Sequence, residues 1–322
     1  MIFLSVMIPN YNGRALLEEY LPHTIAALES LNCTSELVVA DDASEDNSCS
    51  FLRTHYPTVV LVEGEKNLGF SGNCNRGIQA CRGSWVLVLN SDVRLGRDYL
   101  EKLMAFTGEN DVFGLGGSIF PDGPGPVMDA GKFPARSGLM LNTTLNFEPI
   151  GQERNCFPSL FLSGAASLLN AEKFRSLGGF REIFNPYYFE DAEISLHAWR
   201  RGWKSLYVPE AVCYHRISST IGKAAQKEAV RITARRNKLL MHSIHLGGWR
   251  RTLWEIMLLF YPLTGIFRRH SIQFRAFEEF RNRKTDAYAC RKAMLSVTGL
   301  LSLEKVISDI RASLQGKVKR TF

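Results

Sequence analysis

Polar residues collect where apolar runs end in this chain. "WVLVLNSDV" carries Trp85–Leu89 straight into Asn90, Ser91 and Asp92. "MIFLSVMIPNYNG" ends on Asn10, Tyr11 and Asn12, and "ELVVADDASEDNS" ends on Asp41 and Asp42. A fourth run leads into "EKNLGFSGNCNRG", and further on "YFEDAEIS" sets Glu190, Asp191 and Glu193 close together ahead of Ile194, Ala198 and Trp199. Each cluster alone is explained by turn and cap chemistry, which uses Asp, Asn, Ser and Gly, and acids favour a helix start through the macrodipole. Four polar strand ends at the same edge are less easily dismissed, because ligands of an open parallel sheet bind there.

The elements that must position these residues read as alternating strands and helices. Phe3–Ile8, Glu36–Ala40, Val59–Val62 and Trp85–Asn90 are short and rich in β-branched residues, as strands of a buried parallel sheet would be. Ala15–Leu31, Asn47–His55 and Ser71–Cys81 have helical spacing between them, which predicts βαβ units with right-handed crossovers. Residues 108–157, rich in Gly and Pro as in "FPDGPGP", predict a long loop region over the sheet. "LFLSGAASLLN" then predicts another strand, a helix begins near Glu190, and residues 224–245 and about 249–290 read as helical. In such a sheet, ligands bind beyond the carboxyl ends of the strands, where the polar residues lie.

Order and spacing together resemble the inverting family 2 glycosyltransferases, especially their rhamnosyltransferase-like branch, over about residues 3–240. "SVMIPNYNG" resembles that family's first strand and nucleotide loop, "ELVVADDASEDNS" its base-recognising segment and "NLGFSGNCNRGI" its Asn/Gly loop. "VLVLNSDV" is similar to its metal motif, and "GGFREIFNPYYFEDAEISLHAWRRGW" to its acceptor and catalytic-base region. The resemblance implies an α/β, mostly parallel GT-A sheet flanked by helices, with a helical C-terminal extension. It implies a catalytic domain over 1–222, with a nucleotide-binding half to about 107 and an acceptor half from about 108, followed by a helical, basic region over 223–322.

The same resemblance implies roles for single residues. Asp191 would be the base that deprotonates the acceptor hydroxyl, with its pKa depressed by the helix N-terminus. Glu190 and Tyr188 would contact the acceptor, and Glu193 would be solvent or salt-bridge decoration. Asp92, with His215 from "VCYHRISST", would hold Mg²⁺ or Mn²⁺ against the leaving diphosphate, and Ser218, Ser219 and Thr220 would bind phosphate oxygens. Asn90 stands where the simplest metal motif has a first aspartate, so its amide is expected to contact the donor or order the turn. Asp41, with Asp42 as competitor, would accept the imide N–H of uracil or thymine. Pro9, Tyr11, Asn12, Asn67, Gly69 and Asn75 would shape the base, ribose and phosphate sites. Arg236 would assist departure of the diphosphate, although a solvated helix face explains Arg235 and Arg236 equally well.

Composition sets the remaining bounds. With 322 residues, 45% of them hydrophobic, the chain can bury a full core. Its seven cysteines form no CxxC pair, which predicts reduced thiols in a cytosol. No basic leader with an apolar segment and cleavage site opens the sequence, so no secretory signal is expected. Residues 1–215 carry 17 Lys+Arg against 25 Asp+Glu, and residues 216–322 carry 22 against 7, so a mildly acidic body precedes a basic C-terminal part. "LWEIMLLFYPLTGIF", residues 253–267, carries one charge, Glu255, and is shorter than the roughly 20 apolar residues a span requires. With Arg250-Arg251 before it and Arg268-Arg269 after it, the run fits either an element lying on an anionic membrane or a buried helix with charged ends.

Expected partners are therefore a nucleotide-sugar donor, a glycan or lipid-linked saccharide acceptor and an anionic membrane surface, with the protein cytoplasmic or peripheral on the inner face of a bacterial cell membrane. A Rossmann dehydrogenase is disfavoured because "PNYNGR" replaces the GxGxxG turn. Nucleic acid is disfavoured because no recognition module is present and acidic strand ends repel phosphate. A non-catalytic sugar-nucleotide-binding or scaffold protein stays open. It would show no turnover to lose when Asp191 is replaced.

Overall fold

The structure is a computed structural model that describes residues 3–150, 156–216, 224–261 and 271–322. The chain begins with β1 (Leu4–Asn10), α1 (Arg14–Glu29), β2 (Ser35–Asp41), α2 (Ser48–His55), β3 (Val60–Glu63), α3 (Gly69–Ala80) and β4 (Trp85–Leu89). It continues with β5 (Val93–Leu95), α4 (Tyr99–Met104), β6 (Val112–Pro121), β7 (Ala135–Ser137), β8 (Met140–Asn142) and β9 (Phe147–Pro149). Next are β10 (Phe157–Pro158), β11 (Ala166–Asn170), α5 (Ala171–Ser176), α6 (Glu190–Arg200) and β12 (Lys204–His215). Then come α7 (Ala224–His245), α8 (Gly248–Phe260), α9 (Ile272–Leu295), α10 (Leu303–Leu314) and β13 (Val318–Thr321).

The central sheet is ordered β10-β12-β6-β11-β4-β1-β2-β3, with β5 against β12. The strands β1 to β4 are mutually parallel, as their unbroken apolar runs predict. The later strands make the sheet mixed, because β11 lies antiparallel between β4 and β6. One apolar layer covers each face of the sheet, and a third core joins α6 to α7, α8, α9 and α10. The C-terminal helices thus pack onto α6. The expected domain boundary at residue 222 lies outside the described residues.

Two expectations are corrected. Residues 108–157 are not only loop: they hold the ten-residue strand β6, disguised by Gly114, Gly116 and Gly117. A Cβ on Gly117 would lie 2.0 Å from the Ala211 carbonyl oxygen, so close approach of β12 demands glycine inside a strand. Conversely, only the second half of "LFLSGAASLLN" is strand; residues 160–165 form a loop that carries Ser163 and Gly164 toward the site.

Candidate active site

The carboxyl ends of β1, β2 and β4 open into a cavity of about 520 Å³ walled by Pro9, Tyr11, Asn67, Gly69, Asn90 and Asp92, all expected in the donor site. Tyr11 stands half-exposed at its mouth. Asp42 is also on the wall, and its two oxygens accept the Leu68 and Gly69 amides at 2.9 Å each, fixing the loop ahead of α3. Gly69 has φ +72°, and a Cβ there would meet Asn185 Oδ1 at 2.9 Å, so only glycine lets the loop close against that side chain. Asp41 does not line the cavity. It pairs in register with Asn10, accepts Asn10 Nδ2 at 2.7 Å and the Ser44 amide at 2.8 Å, and so acts behind the wall. Asn10, which the sequence reading did not single out, lines the cavity with a buried Oδ1 that has no hydrogen-bond partner among the described residues.

Asn12 sits outside this wall and ties the two loops together, its Oδ1 accepting the Glu45 amide and its own amide donating to Ser44 Oγ, both at 2.8 Å. Asn75 departs further from its expected role: its amide group exchanges two 2.8 Å hydrogen bonds with the Phe180 backbone, so it clamps the chain before α6 instead of facing the cavity.

At the end of β4, Asp92 Oδ1 lies 3.1 Å from His215 Nε2, which β12 delivers by pairing His215 opposite Val93. Asn90 Oδ1 is buried beside them with no hydrogen-bond partner among the described residues. No cluster of three or more His, Cys, Asp or Glu is present among the described residues. One carboxylate and one imidazole, with an amide oxygen nearby, fit a divalent cation that takes its remaining ligands from phosphate and water. Ser218, Ser219 and Thr220 lie outside the described residues.

A second cavity of about 300 Å³ adjoins the first, and Phe70, Asn90 and Tyr187 border both. His215 stands on its wall with Tyr188, Glu190 and Asp191, as do Asp129 and Ser163, which sequence reasoning missed. Asp191 begins α6 half-buried, its Oδ2 accepting the Gly164 amide at 2.9 Å and its Oδ1 the Ala192 amide at 2.7 Å. Burial raises its pKa, and these two amides only partly offset that, so the expected depression by the helix N-terminus is overturned: desolvation outweighs the dipole. Burial, then the charge of Asp191, holds the Glu190 carboxyl well above the usual range, and its Oε2 has no hydrogen-bond partner among the described residues.

Glu193 is no surface decoration. It is 1% exposed, with Oε1 2.9 Å from Arg181 Nε and 3.3 Å from His245 Nε2. Burial alone would raise its pKa, but Arg181, His245 and His197 draw it down to about 2. The pair ties α6 to α7.

Arg236 is also corrected. It is buried away from both cavities, donating to the Asn185 carbonyl at 2.6 Å and pairing with Glu279 at 3.1 Å. Its neighbour Asn237, fully buried, donates through Nδ2 to the carbonyls of Phe184, Tyr187 and Tyr188 at 2.6, 2.9 and 2.8 Å. These contacts hold a turn in which Tyr188 and Phe189 adopt φ of 75° and 76°, a costly conformation for aromatic residues that persists only where surroundings enforce it. Only the fold reveals this role, since "RRN" reads as an ordinary helix face.

Comparison with known proteins agrees with this geometry. The family model described as "Glycosyl transferase family 2" matches residues 5–177. The N-acetylglucosaminyl-diphospho-decaprenol L-rhamnosyltransferase of Mycobacterium tuberculosis is 27% identical across 73% of this chain and 85% of its own length. The undecaprenyl-phosphate 4-deoxy-4-formamido-L-arabinose transferase of Pseudomonas savastanoi pv. phaseolicola is 33% identical over 35% of each chain. Among solved structures, GalNAc-T7 with UDP, GalNAc and Mn²⁺ superposes with TM-score 0.66 at 14% identity, covering 98% of this chain and 57% of that one. The mannosyltransferase PcManGT from Pyrobaculum calidifontis, in complex with GDP-Man and Mn²⁺, gives 0.52 at 16% identity over 90% and 86%. These likenesses show the fold, which is GT-A.

Proposed function

The chain belongs to glycosyl transferase family 2, and from that premise we propose that it moves a sugar from a nucleoside diphosphate, UDP- or dTDP-linked in preference, to a glycan or lipid-linked saccharide in one displacement with inversion. The observation that carries this reading is the pair of adjoining cavities, with Asp92 on the donor wall, Asp191 on the acceptor wall and Asn90 common to both. Such an arrangement suits attack from the side opposite the leaving group.

In this mechanism Tyr11 and Asp42 receive the base, and Asp41 keeps Asn10 in place behind them. Asp92 and His215 would hold Mg²⁺ or Mn²⁺, which when bound supplies the positive charge that neutralises the departing diphosphate. Asp191, ionised, accepts the proton of the acceptor hydroxyl as its oxygen bonds to the anomeric carbon, and the bond from that carbon to the diphosphate oxygen breaks with its electron pair. The raised pKa makes Asp191 a stronger base than a solvated carboxylate. Glu190 and Tyr188 orient the acceptor, and the Asn237 clamp keeps Tyr188 in position. Arg236 acts through the same turn. The polyprenyl substrates in the names of the mycobacterial and Pseudomonas relatives support a lipid-linked acceptor; a place in envelope polysaccharide assembly, peripheral on the cytoplasmic membrane face, is part of the proposal.

The test is a panel of UDP-, dTDP- and GDP-sugars offered with saccharide-diphospho-polyprenol acceptors, with the anomeric configuration of any product read by NMR. Transfer from one donor with inversion is the expected result. Donor binding without transfer to any acceptor would favour the scaffold reading, and a retained configuration would overturn the single displacement.

A further inference from the structure

Helix α8 is apolar on two opposite sides. Trp254 and Leu258 are buried in the core shared with α7, α9 and α10, which docks the helix on the body. Trp249, Leu253, Ile256 and Phe260 recur at helical spacing on the other side, and they are 61%, 43%, 45% and 58% exposed. Leu259, next to that stripe, is 74% exposed. Five of the eleven exposed large apolar side chains among the described residues therefore lie on this one helix. Single exposed apolar residues are ordinary, whereas a continuous stripe marks a surface that something covers.

The charge around the stripe selects the occupant. The Arg250 guanidinium lies 4.3 Å from the centroid of the Trp249 ring, at the start of the stripe. Arg251, by contrast, faces the docked side of α8: it pairs with Glu255 and lines a groove with Arg291 and Lys292 against α9, away from the stripe. Burial and the neighbouring Arg251 charge push the Arg291 guanidinium down to about 10. Glu255 and Glu304 are the acids paired with Arg251 and Arg250. They leave the C-terminal part strongly basic, with 22 Lys+Arg against 7 Asp+Glu over residues 216–322 and Arg268-Arg269 next along the sequence. A second copy of the chain would set these cations against each other. An anionic bilayer offers both an apolar layer and negative headgroups. At 13 residues α8 is too short to span it, and no helix among the described residues is long and apolar enough to do so.

We propose that α8 is a membrane-docking helix that lies in the plane of an anionic bilayer, with Trp249, Leu253, Ile256 and Phe260 among the acyl chains and Arg250 at the phosphates. The docking does not depend on the sugar-transfer reading, because it is measured with neither donor nor acceptor present. The experiment is flotation of the full chain with phosphatidylcholine vesicles, with and without phosphatidylglycerol, for wild type and for the triple variant Leu253→Ser, Ile256→Ser, Phe260→Ser. Wild type is expected on the anionic vesicles only, with the variant's partition coefficient lower by about tenfold or more and its Tm unchanged. Three results would overturn the proposal: no binding to anionic vesicles, equal binding of the variant, or a variant Tm lowered as it would be if another part of the chain covered the stripe. A wild-type dimer that the same substitutions convert to monomer would assign the stripe to self-association instead.

Discussion

Replacing Asp191 by Asn should separate chemistry from binding. The side chain keeps its volume, but a carboxamide offers one acceptor oxygen where the carboxylate uses two, for the Gly164 and Ala192 amides. One of those amides loses its partner, which costs about 1–2 kcal/mol of stability. The variant should therefore fold and melt slightly earlier. Its rate suffers far more, because no group remains to take the acceptor proton. General-base catalysis contributes roughly 10²–10⁴-fold, or about 3–5 kcal/mol of barrier. Donor affinity should stay within about twofold, since the donor wall comes from other residues. The assay is initial transfer rate against pH, with donor binding measured by calorimetry in the same buffer. For the wild type, kcat/KM should climb as pH rises through the raised pKa of Asp191, where the base becomes ionised, and then level off. The reasoning is refuted if the Asn variant keeps more than about a tenth of wild-type rate, or if donor binding falls in step with turnover.

Glu193 predicts a specific acid sensitivity. Its folded pKa lies below the ordinary 4.5, near 2, so the stabilisation it provides is complete above about pH 4.5 and is lost as pH falls toward 2. At about 1.4 kcal/mol per pH unit this amounts to about 3 kcal/mol. Denaturant unfolding between about pH 6 and about pH 2 should show that loss for wild type and a much flatter dependence for Glu193→Gln; parallel curves would remove Glu193 as the cause. Asn237→Leu leaves three carbonyls without their donor, at a cost of about 3 kcal/mol. It should raise the acceptor KM by about tenfold or more while donor affinity holds, and an unchanged acceptor KM would show that the turn does not depend on the clamp.

How much was legible in the sequence follows from how local each signal is. The strands β1 to β4 announce themselves as apolar runs, and their polar ends border one cavity, so the grouping of Pro9, Tyr11, Gly69 and Asp92 was readable. The strand β6 was not, because its glycines answer to the close approach of β12, a contact about 90 residues distant in sequence. Asp41 and Asp42 are adjacent acids, both buried, and only strand register shows which one faces the cavity. Asn75, Glu193 and Arg236 look like surface or ligand groups until α6, α7 and the turn before α6 are folded together. Their partners Phe180, His245 and Asn185 lie far from them in sequence. The balance that sets the Asp191 pKa is likewise a property of the assembled cavity.

Donor recognition at the end of β4 is the central claim, and calorimetry of the matching nucleotide sugar tests it most directly. Wild type should bind in the presence of Mn²⁺ and weaken when EDTA removes the metal. Asp92→Ala should bind about tenfold or more weakly and respond little to Mn²⁺. Equal affinity with and without metal, unchanged by the substitution, would contradict the role given to Asp92 and His215 and the metal-assisted transfer built on them.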